Sequence, residues 1–167
     1  MTLASAEWEG TNQNPLDLLE EIVGANRWPF NRASQEEMLV EVAGRWCTYR
    51  LYFYWEQQMS AMQLGCQVDL FVPPSERVSF YPLLAMINER LWLGHMDLER
   101  SDGTPTFRYT ALMRGMQAAS TDLLEDLMEI AISECDRFYP ALQFVVRDGV
   151  PADQALRDAI TDTVADA

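Results

Sequence analysis

The hydrophobic and polar positions alternate most regularly in the middle of the chain. Apolar side chains recur at every second position in three segments, 37–43, 46–56 and 61–72. This is the period of a β-strand with one buried face, because successive side chains point to opposite sides of a sheet. The three segments therefore predict consecutive strands of an antiparallel meander.

The connections between these segments set the predicted register. The dipeptide Gly-Arg at 44–45 suits a two-residue hairpin turn, which pairs Val40 with Tyr49. A four-residue loop before the third segment pairs Leu51 with Cys66. Both registers bring apolar side chains together on one face, so the turns and the pattern agree.

Four segments show the three-and-four spacing of apolar positions that is typical of amphipathic helices. Each has a start signal, either a capping Asn or Ser or a proline in the first turn. The predicted helices begin after Asn14, near Ser75 or Ser79, after Ser120 and at Pro151. We expect the second helix to run to about Leu93 and to end at Gly94.

A second hairpin is predicted between residues 95 and 113, where Asp-Gly at 102–103 is a strong turn signal. This turn puts Asp97 opposite Arg108. The element order is then α-βββ-α-ββ-α-α, which predicts an α+β sandwich of two layers with a five-stranded antiparallel sheet and helices on one face. Residues 1–14 are polar and expected to be loose, and 15–167 are expected to form a single domain.

Charge narrows the choice of partners. The formal net charge is −14, and all 12 basic residues are arginine. Nucleic acids and anionic membranes attract clustered positive charge, so neither is an expected partner. Acidic residues concentrate toward the ends, where segments 1–27 and 117–167 have net charges of −4 and −8. We expect a solvated acidic layer of helices there, with an acidic docking surface as the alternative.

The cysteines and the hydropathy of the chain indicate the cellular compartment in which the protein is expected. Cys47, Cys66 and Cys135 are odd in number and widely spaced, which favours reduced structural thiols over a disulfide framework. The first ten residues lack the apolar run of a secretory signal, and no segment is apolar enough to span a membrane. The sequence therefore predicts a cytoplasmic protein.

The single histidine of the chain is the first candidate for chemistry. His95, Asp97 and Glu99 fall on one face of a predicted strand, and such side chains can ligate a divalent metal. Neighbouring side chains on one face of a strand lie roughly 7 Å apart and project in parallel, so they converge poorly on one ion. We favour an ordinary polar face with an ion pair to Arg108, and assign neither a catalytic residue nor a cofactor.

The polar side of the meander is the second candidate. It carries aromatic and arginine side chains, a composition that is enriched at protein interfaces. The candidate partner-binding residues are Trp46, Arg50, Tyr52, Tyr54 and Phe71. The alternative is that loops, or Trp28 and Phe30, cover them.

Several segments, in order along the chain, resemble the YbjN-domain family of bacterial sensory transduction regulators. They span most of residues 15–147. The segments are "GRWCTYRLYFYW" at 44–55, "QLGCQVDLFVPP" at 63–74, "INERLWLGHMDLE" at 87–99, "FRYTALMRG" at 107–115 and "ECDRFYPALQFVV" at 134–146. The resemblance implies a fold like that of type III secretion chaperones, which are usually dimers, and it carries over no catalytic residues.

These observations favour a non-enzymatic cytoplasmic homodimer that binds another protein in an adaptor, chaperone-like or regulatory role. The alternative is a small-molecule or metal-binding sensor that uses the region around His95.

Overall fold

The computed structural model describes residues 13–116 and 118–165, so residues 1–12 of the segment expected to be loose lie outside the described residues. The helices are α1 (Pro15–Ala25), α2 (Arg77–Asn88), α3 (Thr121–Asp148) and α4 (Ala152–Ala165). The strands are β1 (Phe30–Arg32), β2 (Glu37–Ala43), β3 (Thr48–Glu56), β4 (Ala61–Gln67), β5 (His95–Leu98) and β6 (Pro105–Leu112).

The strands form one antiparallel sheet in the order β1-β2-β3-β4-β6-β5. The predicted α+β class with an antiparallel sheet is confirmed, with six strands rather than five. The additional strand is β1, in a segment expected to be irregular, and its Phe30 pairs with Val40 of β2. Three residues are too few to show an alternating pattern, so the sequence does not reveal this strand.

The predicted register between β2 and β3 is wrong by two residues. Val40 pairs with Leu51, because a four-residue loop joins the strands and the N–H of Gly44 donates to the carbonyl of Cys47 at 2.9 Å. The ring of Tyr49 packs so closely on Gly44 that a Cβ there would lie 1.9 Å from Cε2 of the ring. A shift of two residues leaves each side chain on its face, so the buried face is the predicted one.

The second hairpin shows the same kind of shift. Asp97 pairs with Thr106 rather than with Arg108. The predicted two-residue turn is wrong because the N–H of Glu99 donates to the carbonyl of Thr104 at 2.9 Å, which leaves a wider loop. Asp97 and Arg108 are therefore diagonal neighbours.

The register between β3 and β4 is confirmed, since Leu51 pairs with Cys66. Strand β4 nevertheless ends at Gln67, before the predicted end at 72. A local turn follows, in which the N–H of Leu70 bonds back to the carbonyl of Val68 at 2.9 Å.

The core lies between one face of the sheet and the helices. Tyr49, Leu51 and Phe53 of β3 are buried on this face. Cys66 of β4 contacts Cys135 of α3 there. Both are free thiols, and their Sγ atoms are 3.5 Å apart. The alternate residues of β3 and the strands beside it form the other face, which we call the open face because no described helix packs on it.

Helix α2 ends at Asn88, earlier than the predicted end near Leu93. The Asn88 side chain bonds to the backbone of Met96, and the chain between them turns into β5. Gly94 therefore belongs to the entry into β5 and not to a helix end. Its φ is +69°, and a Cβ there would lie 2.5 Å from Cζ of Phe107, so a side chain does not fit.

Within the described residues, none of the helices combines the length and the apolar character needed to cross a lipid bilayer.

Candidate functional site

The open face contains three of the five predicted partner-binding residues. Arg50, Tyr52 and Tyr54 occupy alternate positions of β3 and face away from the core. They are presented by a strand that is hydrogen-bonded on both sides, to β2 and to β4. These side chains therefore stand on a rigid support.

Trp46 does not lie on the open face, contrary to the prediction. The four-residue loop takes it out of the strand, and its Nε1 donates to the carbonyl of Asp136 on α3 at 2.8 Å. Its ring stacks on Tyr139 with the centroids 6.4 Å apart and an angle of 10° between the planes. Trp46 therefore fastens the β2–β3 loop to α3.

Phe71 also lies away from this face, in the loop after β4. A Cβ on Gly103 would lie 3.1 Å from Cε2 of the Phe71 ring, so the ring sits beside the β5–β6 loop. Because β4 ends before this residue, the alternation that assigned Phe71 to the polar side no longer applies.

A row of directly paired residues crosses the open face over five strands. It runs from aliphatic and aromatic side chains, through a glycine, to a cationic group and an imidazole. The row is Leu39, Tyr52, Gly65, Arg108 and His95. Since Gly65 has no side chain, the middle of the row is a shallow concavity of about 260 Å³.

The walls of this concavity are polar. Tyr52 and Tyr54 lie on one side, and His95, Glu99 and Arg108 on the other. The carboxylates of Glu56 and Glu36 raise the pKa of Tyr54, so this end of β3 is negatively charged. The arrangement offers aromatic surface next to hydrogen-bonding groups, which is typical of a recognition surface.

The predicted ion pair with Arg108 is present, and it includes both carboxylates. Arg108 Nε donates to Asp97 Oδ2 at 3.3 Å, and Nη2 donates to Glu99 Oε2. A metal ion bound here would have to displace the guanidinium. Among the described residues, no group of three His, Cys, Asp or Glu side chains is placed to hold a metal ion.

Three exposed apolar side chains, two on α2 and one in the turn after it, are a feature that the sequence analysis missed. The exposed fractions are 79% for Val78, 51% for Tyr81 and 98% for Trp92, which follows the helix. Val78 and Tyr81 are three positions apart, a spacing that places both on one face of a helix. The sequence analysis used only the buried apolar residues on the other face of this helix. We call these three residues the α2 stripe.

The fold and the open face define a two-layer α+β protein that presents one bare sheet surface. The chain belongs to the YbjN family, described as "Putative bacterial sensory transduction regulator", whose family model matches residues 15–144. The match confirms the resemblance seen in the sequence.

Among solved structures, the chain is similar to "YbjN, a putative transcription regulator from E. coli". The TM-score is 0.51 at 11% sequence identity, and the similarity covers 72% of this chain and 85% of that chain. At this identity the likeness shows the fold alone. A comparison with curated protein sequences gives no match.

Proposed function

We propose that this protein is a non-enzymatic regulator that acts as a homodimer and binds another protein as an adaptor or chaperone. The description of its family as a regulator supports the regulatory role. The α2 stripe is the observation that carries the dimer, because aromatic side chains such as the exposed Tyr81 and Trp92 are enriched at interfaces relative to the rest of the protein surface.

Charge favours a second copy as the occupant of the α2 stripe. Two chains of net charge −14 repel each other, so they need a contact surface without acidic residues. Helix α2 itself contains no acidic residue, and the acidic residues nearest to it in the sequence are Glu76 and Glu89 at its two ends. Its one arginine, Arg77, donates to the carbonyls of Val72 and Arg100 within the same chain. Burying apolar surface at roughly 25 cal/mol per Å² then stabilises the contact between the two stripes.

The open face supports the binding of a second protein. Tyr52, Tyr54 and Arg50 are residue types that contribute most of the binding energy at protein interfaces. Helix α2 packs on the opposite side of the sheet, so pairing through α2 leaves both open faces accessible. Cys66 and Cys135 lie in the core, on the side away from His95, and this separation supports a role without nucleophilic catalysis.

Analytical ultracentrifugation of two matched double variants tests the dimer. V78D/W92D adds two acids to the α2 stripe, and M59D/L112D adds two acids at apolar positions that are exposed elsewhere. We expect a dimer for the wild type and for M59D/L112D, and a monomer for V78D/W92D. A monomeric wild type, or a dimeric V78D/W92D, contradicts the proposal.

The binding of a partner is tested by affinity capture from the native cell. We expect Y52A/Y54A to remain a dimer and to lose the captured protein. T48A/Q58A changes two other exposed positions, at the start of β3 and in the turn after it, outside the residues that line the concavity, and is the control. Capture that is unaffected by Y52A/Y54A would exclude the open face as the binding surface.

A further inference from the structure

A groove between α1 and α3 lies on the helical side of the protein, away from the open face. Its volume is about 390 Å³, within the range of roughly 300–1,000 Å³ that is typical of ligand pockets. The floor is apolar and consists of Ile22, Met128 and Ile132, with Trp28 beside them. Ile22 and Met128 are buried, so the floor belongs to the folded core.

Carboxylates form the rim of this groove. Glu125 and Glu129 are one helical turn apart on α3 and both line the groove, as does Asp136 two turns further along. Within the part of the chain that the structure describes, the side chains of Glu125 and Glu129 make no ion pair or hydrogen bond. The described residues that line the groove include no arginine and no histidine.

Helix α3 extends the same negative field beyond the groove. It has seven acidic and two basic residues, a net charge of −5, whereas two of the three acidic residues of α1, Asp17 and Glu20, are paired with Arg32. The carboxylate of Asp136 is held in place, because its Oδ1 accepts the N–H of Arg45 at 2.9 Å and the O–H of Tyr49 at 2.6 Å. The groove therefore combines an apolar floor, an indole ring and an acidic rim of which one carboxylate is held in place.

We infer that this groove binds a basic segment of a partner protein in which arginine or lysine alternates with apolar side chains. The apolar side chains of the segment pack on Ile132 and Met128, and its cations lie between Glu125 and Glu129 or over the Trp28 ring. This inference rests on the proposed function, for which it names a second surface and the chemistry of the partner.

The combination of groove and rim selects this occupant. A second copy of this chain is acidic at both helices and is repelled from the groove. A lone metal ion leaves the apolar floor uncovered. The apolar side chains of a basic amphipathic segment cover the floor, and its cations pair with the carboxylates of the rim. The negative field of the groove also raises the rate at which such a segment associates.

The probe is a fluorescein-labelled peptide of alternating arginine and leucine with blocked ends, titrated at low salt and followed by fluorescence anisotropy. E125Q/E129Q removes two charges from the rim without changing side-chain shape. D126N/D158N removes two charges from exposed positions outside the groove and is the control of equal net charge. A peptide with serine in place of leucine tests the floor.

We expect E125Q/E129Q to weaken binding about tenfold, as loss of two partly solvated ion pairs implies, and D126N/D158N to change it less than about twofold. The serine peptide is also expected to bind more weakly. Equal weakening by both double variants, or no binding of the arginine–leucine peptide to the wild type, would overturn the inference. Sedimentation of the same samples separates the two proposals: a dimer that does not bind the peptide contradicts the groove alone, and a monomer that binds it contradicts the dimer alone.

Discussion

The side-chain amide of Asn88 forms two hydrogen bonds to the backbone of Met96. Its Oδ1 accepts the N–H of Met96 at 2.7 Å, and its Nδ2 donates to the carbonyl of Met96 at 3.1 Å. Met96 lies in β5, one of the two edge strands of the sheet. The last residue of α2 therefore occupies the place that another strand would take, which fastens the helix to the sheet and blocks strand addition at this position.

Replacement of Asn88 by alanine should lower the free energy of unfolding by about 1–3 kcal/mol, because a polar backbone pair is left without its partners. Urea unfolding followed by circular dichroism measures the change. N31A, at an exposed edge-strand position, is the control and should stay within about 0.5 kcal/mol of the wild type. Equal effects of the two variants would show that the Asn88 amide is dispensable.

The alternating pattern predicts the strands of the meander and their buried face because a period of two survives a register shift of two residues. It does not predict the loop lengths. The sequence at 44–45 is compatible with a short turn, and the longer loop is selected by contacts with a helix far along the chain. The N–H of Arg45 and the indole of Trp46 both donate to Asp136. Such contacts leave no signal in the local sequence.

The same limit applies to the candidate surfaces. The alternating pattern predicts Tyr52 and Tyr54 on the open face because they lie within a regular strand. Trp46 and Phe71 lie beyond strand ends, where the period no longer determines direction. The end of α2 at Asn88 is likewise absent from the local pattern, because it is accompanied by a side-chain contact with another element.

Gly94 and Gly115 have similar backbone angles. Comparing their replacement by alanine therefore separates the cost of a steric overlap from the cost of backbone strain. Gly94 has a φ of +69° and Gly115 a φ of +81°, but a Cβ on Gly94 would lie 2.6 Å from the carbonyl oxygen of Arg108, and a Cβ on Gly115 meets nothing within 4 Å. G115A should cost about 1–2 kcal/mol from the left-handed backbone. G94A should cost about 1–3 kcal/mol more, because the chain must shift to relieve the overlap. Equal losses in urea unfolding would contradict this assignment.

Arg108 and His95 are paired across β5 and β6, and their replacement should have different effects. R108A removes both ion pairs and leaves Asp97 and Glu99 as neighbouring negative charges, so it should cost about 1 kcal/mol at low salt and less at high salt. H95A should change stability by less than about 0.5 kcal/mol.

Metal analysis of the untagged protein tests the alternative of a metal-binding sensor. A stoichiometric metal that is lost in H95A would support that alternative.

Tyr49 links the sheet to α3 through the hydrogen bond that it donates to Asp136 Oδ1 at 2.6 Å. The ring is fully buried. Y49F removes a hydrogen bond to a charged group and should lower the free energy of unfolding by about 2 kcal/mol near neutral pH. Y81F makes the same change in an exposed ring of the α2 stripe and is the control.

The pH dependence of stability gives a second measurement on the same pair. Burial, and then the bond to Asp136, raise the pKa of Tyr49 above its usual value. In the unfolded chain the pKa of a tyrosine is about 10, so above about pH 10 the unfolded state loses this proton while the folded state keeps it. The folded state binds more protons there, and stability falls as the pH rises. Urea unfolding across this range should show a steeper alkaline decline for the wild type than for Y49F; parallel declines would mean that ionisation of Tyr49 does not contribute to alkaline unfolding.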